Sequence, residues 1–179
     1  MIRTVTHTRQ AGRRVRDNVE RMAKLLDELP REPGTVPAIT VHQPWAYLLT
    51  AGRLFARRGQ PVKTVENRTW LTQYRGPLAI HAANNPAAMR RVYREAPDWL
   101  AGLLPPAEEL IPTLGHVVGL ADLYRITHID DQPCDPNPFA VGPYLWHLRT
   151  VAPLPRPVPA KGRQRLWRWT PTRELRRPA

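Results

Sequence analysis

Lys63, Glu66, Asn67, Arg68, Trp70, Tyr74 and Arg75 fall within thirteen residues of a 179-residue chain, and an apolar, strand-like run ending at His81 follows at once. An ammonium or guanidinium group can hold a phosphate. A carboxylate or amide can read a base edge, and an indole or phenol can stack on a base. In a strand over residues 62–68, Lys63, Val65 and Asn67 share one face and Thr64, Glu66 and Arg68 the other. Glu66 and Arg68 are then neighbours able to form an ion pair, which has a purely structural use as well. Lys63 and Glu66 are also a candidate general acid/base pair, provided that a pocket shifts their pKa values.

Composition narrows the chemistry. The chain contains no serine, which removes serine-nucleophile hydrolases and phosphate loops ending in Lys-Ser. Its single cysteine, Cys134, rules out an internal disulfide and CxxC-type zinc sites, and points to a reducing cytoplasm. No GxGxxG, GxxxxGK[ST], HExxH or DxDxDG pattern occurs, so no cofactor and no metal are expected. No apolar run is long enough to cross a membrane, and the basic N-terminus lacks the apolar core of a secretory signal. The formal net charge is +12, with 24 Arg and 3 Lys. Residues 1–36 carry +3, residues 53–75 carry +5, residues 76–160 carry −2 and residues 161–179 carry +6. A charge excess gathered at the motif and at the C-terminal segment points to a polyanion-facing surface.

The elements follow from periodicity. Residues 1–13 read as a basic arm. Apolar steps of three and four at Val15, Val19, Met22, Leu26 and Leu29 predict an amphipathic helix over 14–29, a candidate protein-docking element. Residues 38–42 predict a strand. Pro44 opens a helix that stops at Gly52, and a basic loop with Arg53, Arg57 and Arg58 follows. Strands are expected over 62–68 and 76–82, with a helix over 85–101 broken near Pro97. A long strand is expected over 115–126, then two aromatic strands over 144–148 and 165–169 with a proline-rich separator. Strands do not alternate with helices, so the expectation is a mixed α+β or mainly β fold of five to six strands with flanking helices.

The blocks AITVHQPWAYLLTAG, KTVENRTW, YRGPLAIHAA, GHVVGLADL, GPYLWHL and KGRQRLW together resemble the ASCH (activating signal cointegrator homology) family of the PUA-like superfamily. The resemblance runs from about Ala38 to Trp169. It implies an N-terminal extension over 1–36, an ASCH domain over 37–170 and a basic tail over 171–179. It also implies a small β-barrel with a cleft, and RNA, DNA or a single nucleotide base as the ligand class. Gln43 and Trp45 match the family's Gln-Pro-Trp. Lys63, Thr64, Glu66 and Arg68 match its Lys-Thr…Glu…Arg, and Trp70, Arg75, Gly76 and His81 match the segment that follows. One branch resembles an acetylcytidine amidohydrolase whose Thr lies three residues after its Lys; Glu66 stands at that position here.

The resulting expectation is a nucleic-acid-binding domain for RNA or single strands. Its candidate contacts are Gln43, Trp45, Arg57, Arg58, Lys63, Thr64, Glu66, Asn67, Arg68, Trp70, Tyr74, Arg75, Lys161 and Arg163. The alternative is a hydrolase acting on RNA or a modified nucleoside through Lys63 and Glu66.

Overall fold

Near-continuous apolar strands set the architecture. In β1 (Val36–Val41) five of six residues are buried, as expected of a strand covered on both faces. Beside it come β2 (Val65–Arg68), β3 (Gly76–Ala82), β4 (His116–His128), β5 (Tyr144–Pro159) and β6 (Trp167–Trp169). This computed structural model describes residue 20, residues 34–131, residues 137–172 and residue 175. The arm, the 14–29 helix apart from Glu20, Cys134 and most of the C-terminal tail lie outside the described residues.

The six strands form one mixed sheet in the order β2–β5–β4–β3–β1–β6. β1 runs parallel to β3, with Thr40 opposite His81; the other pairings are antiparallel. Among the described residues β2 and β6 are the two edges, so the pairing is open rather than closed into a barrel. Successive residues feed opposite faces. Ile39, Leu78, Ile80, Trp146 and Leu148 pack into one cluster, and Ala38, Ala79, Leu120, Trp167 and Trp169 into another. Trp146 is fully buried; removing about 200 Å² of apolar surface from water contributes on the order of 5 kcal/mol before entropy is counted.

Short helices close one side. α1 (Trp45–Leu49) and α2 (Ala51–Phe55) replace the expected single helix, because the chain breaks at Thr50. The Thr50 hydroxyl donates to the Ala46 carbonyl at 2.7 Å, and its methyl would lie 2.6 Å from a Cβ at Gly119. α3 (Pro86–Glu95) is capped by the Asn85 side chain and ends before Pro97, as expected, with α4 (Asp98–Ala101) beyond it and α5 (Ala107–Leu110) after that.

The expected break between the two aromatic strands is also corrected. The proline-rich stretch after residue 150 is no separator but the second half of β5. Pro155 and Pro157 are tolerated because the ladder slips there: Gly119 faces Pro153 while Val117 faces Val158, so residues 154–157 oppose Val118 alone.

Candidate functional site

Parallel pairing brings the C-terminal ends of β1 and β3 together, and a cleft of about 1030 Å³ opens over them. Thr40, His81, Arg68 and Trp70 line one side, and the segment 160–165 lines the other. That segment is tied down at two points. The Thr40 hydroxyl donates to the Arg163 carbonyl at 2.9 Å, and His81 Nε2–H donates to the Ala160 carbonyl at 3.0 Å. His81 is 1% exposed, and burial pushes its pKa below the usual imidazole range, so it stands neutral. Four cations, Arg68, Lys161, Arg163 and Arg165, line the cleft, and among the described residues no carboxylate does.

Trp70 is held at the cleft by its neighbour Trp146. The rings meet edge to face at 4.7 Å and 76°, and the Trp146 indole N–H donates to the Trp70 carbonyl at 3.4 Å. Arg68 donates from Nη2 to the Thr40 carbonyl at 2.8 Å, while its Nε is buried with no hydrogen-bond partner.

Behind Arg68 the charges continue inward. Glu66 Oε1 lies 3.4 Å from Arg68 Nη2, the ion pair expected from strand alternation, and Glu66 Oε2 lies 3.5 Å from Lys63 Nζ. Lys63 sits just before β2 rather than inside the longer strand expected over 62–68, so strict alternation does not apply to it and it reaches Glu66. It is 3% exposed, with Nζ 5.6 Å from the ring centroids of both Trp45 and Phe139. Burial lowers its pKa; Glu66 opposes the shift and Arg68 reinforces it. A second cavity, of about 330 Å³, opens beside this amine, with Trp45, Trp99, Phe139 and Val141 among its walls.

Other candidates serve the framework. Gln43, 1% exposed, accepts from the Tyr47 amide at 2.9 Å and donates to Thr113 at 2.7 Å, so it fastens the start of α1. Asn67 staples the segment 137–142 to β2: it donates to the Phe139 carbonyl at 2.9 Å and accepts from the Val141 and Gly142 amides at 3.0 and 3.3 Å. The Thr64 hydroxyl accepts from Asn137 at 3.3 Å. The Tyr74 hydroxyl donates to the Pro77 carbonyl, and burial pushes its pKa up to about 12. Arg75 donates to the Thr72 and Tyr74 carbonyls at 3.0 and 2.6 Å, and it lines a separate hollow with Asp122 and Arg149. Arg57 lines a small cavity on the far side of Lys63, and exposed Arg58 is not among the cleft residues.

Of the fourteen contacts expected in one cleft, the structure brings Arg68, Trp70, Lys161 and Arg163 together there and scatters the rest. Sequence reasoning, for its part, missed Arg165, Thr40, Gly162, Trp99 and Phe139 as site residues. The Lys-Gly-Arg-Gln-Arg run carried a signal for Arg165. Trp99 and Phe139 carried none, because they reach the pocket from remote segments. Among the described residues no cluster of His, Cys, Asp and Glu is placed to hold a metal, and no helix is long and apolar enough to cross a membrane. No protein-family model matches the chain, and no curated protein matches it.

Proposed function

We propose that residues 37–170 form an ASCH-type, PUA-like domain that binds single-stranded nucleic acid, RNA above all, in the basic cleft. The observation that carries this reading is the lining itself: four cations and a partly buried indole around about 1030 Å³ with no carboxylate among the described residues. Phosphates take the guanidinium and ammonium groups, and a base stacks on Trp70; stacking is worth about 1–3 kcal/mol per base. Gln43, Asn67 and Tyr74 act from behind by holding the walls. The six-stranded sheet supports the PUA-like reading through its strand count and flanking helices, and the ordered motif blocks support the ASCH reading.

The test is a double variant, Arg163→Ala with Arg165→Ala. Both residues are exposed and lie on the segment that crosses the cleft, so the fold should survive. Affinity for a fluorescent oligonucleotide should drop across all sequences rather than for one base, because phosphate contacts position without specifying. Unchanged affinity would refute the cleft as the binding surface.

A further inference from the structure

The aromatic pocket beside β2 holds a group for which strand binding has no use: a primary amine in a cavity. Lys63 Nζ lies 5.6 Å from the Trp45 and Phe139 ring centroids and 3.5 Å from a Glu66 carboxylate oxygen, at the edge of about 330 Å³ of space. We propose that Lys63 captures an aldehyde carbonyl as an imine, the aldehyde being the ring-opened sugar of an abasic nucleotide in a single strand. This rests on the nucleic-acid reading of the neighbouring cleft.

A lysine becomes a nucleophile when its amine is desolvated and lies near another cation, conditions that favour the neutral form. Both hold here: the side chain is 3% exposed and lies at the edge of a cavity, and burial lowers its pKa against the pull of Glu66, with Arg68 adding a smaller push in the same direction as burial. Glu66 is placed to move the protons. It takes one from the Lys63 ammonium, and the free amine adds to the aldehyde carbon, forming the new C–N bond of a carbinolamine. Glu66 then returns the proton to the carbinolamine hydroxyl, the C–O bond breaks and water leaves. The product is a protonated imine with Glu66 again a carboxylate, so ammonium plus aldehyde has become iminium plus water without oxidant or reductant.

The choice of an abasic nucleotide follows from position. Glu66 stands between a residue of each cavity: one oxygen lies 3.5 Å from Lys63 in the aromatic pocket, and the other lies 3.4 Å from Arg68, which lines the cationic cleft. A strand whose phosphates follow Arg68 and the 160–165 segment passes beside this point. An intact nucleotide offers the amine no aldehyde there, whereas one lacking its base does, and a pentose fits the space.

The full chain is incubated with a single-stranded oligodeoxynucleotide containing one abasic site, then treated with borohydride, which reduces an imine to a stable secondary amine. Expected is a covalent protein–strand adduct that peptide mapping assigns to Lys63. Lys63→Arg keeps the charge facing Glu66 but cannot form an imine, so it should lose the adduct, whereas Lys24→Arg should keep it. A thermal melt of each variant checks folding, and the mapping on the wild type stands even if Lys63→Arg fails to fold. Mapping to Lys24, Lys161 or the N-terminal amine overturns the inference, as does a folded Lys63→Arg protein that still cross-links. If glycolaldehyde labels Lys63 and the abasic strand does not, the nucleic-acid source is overturned. Wild-type protein that binds the unmodified strand yet yields no adduct sinks the imine alone; failure to bind either strand sinks the cleft reading with it.

Discussion

Gly162 lies directly against His81: a Cβ at residue 162 would fall 2.4 Å from His81 Cε1 and 2.7 Å from Nδ1. Glycine is needed there because the backbone itself rests on the imidazole, with Thr40 Oγ1 only 3.0 Å from the same Cβ position. Gly162→Ala must therefore lift the segment that carries Lys161, Arg163 and Arg165. The expected cost is about 1–3 kcal/mol of stability from overpacking, seen as a lower denaturation midpoint, together with weaker oligonucleotide binding. A variant with wild-type stability and affinity would show that the segment is not anchored at this point.

His81 also predicts an acid limit. Its folded-state pKa is lowered by burial, so the unfolded chain binds more protons as pH falls below the usual imidazole value of about 6.5. Stability is present above that value and declines as pH drops through it towards the folded-state pKa. Urea midpoints measured from neutral to mildly acid pH should fall in the wild type and fall less steeply in His81→Gln. His147, also lowered by burial, contributes in the same sense, so the variant should retain part of the slope.

Tyr74 sets the opposite limit. Its pKa is raised to about 12, so its stabilising effect is complete below the usual phenol value of about 10 and is lost as pH rises through 12. Tyr74→Phe should cost roughly 0.5–1.5 kcal/mol at neutral pH through the lost hydrogen bond to Pro77. The gap between variant and wild type should narrow in alkaline melts; a constant gap would contradict this.

Asn67 provides a test that separates wall from ligand contact. Replacing it with Ala removes three hydrogen bonds to the segment 137–142 and leaves two partly buried backbone groups, the Phe139 carbonyl and the Gly142 amide, unpaired, at about 1–3 kcal/mol. Hydrogen exchange at the Val141 and Gly142 amides should accelerate, and oligonucleotide affinity in the cleft should change little. Loss of affinity with unaltered exchange would return Asn67 to the role of a base reader.

The legible part of the chain was the part whose signals are local. Strand alternation paired Glu66 with Arg68, Pro97 broke its helix, and the Val- and Leu-rich run over 115–126 became the central strand β4. Proline misled where tertiary pairing absorbed it, since a slip against Val118 let residues 154–157 stay inside β5. Residue type also could not separate a ligand contact from a wall fastening. Gln43 and Asn67 have the amides of base readers, yet the backbone groups that claim them arrive from neighbouring turns and from segments more than seventy residues away. The aromatic pocket was hidden for the same reason, because Trp99 and Phe139 meet at 5.4 Å only after the sheet and α4 have assembled.

Salt dependence tests most directly whether the four-cation cleft grips a phosphate backbone. Each phosphate neutralised on a single strand contributes about −0.7 to the slope of log affinity against log salt, so engaging three or four should give roughly −2 to −3. Fluorescence anisotropy with a short labelled RNA across a salt series should give that slope, and Arg68→Ala should make it shallower by about 0.7. Binding insensitive to salt, or a slope that Arg68→Ala leaves unchanged, would contradict the account.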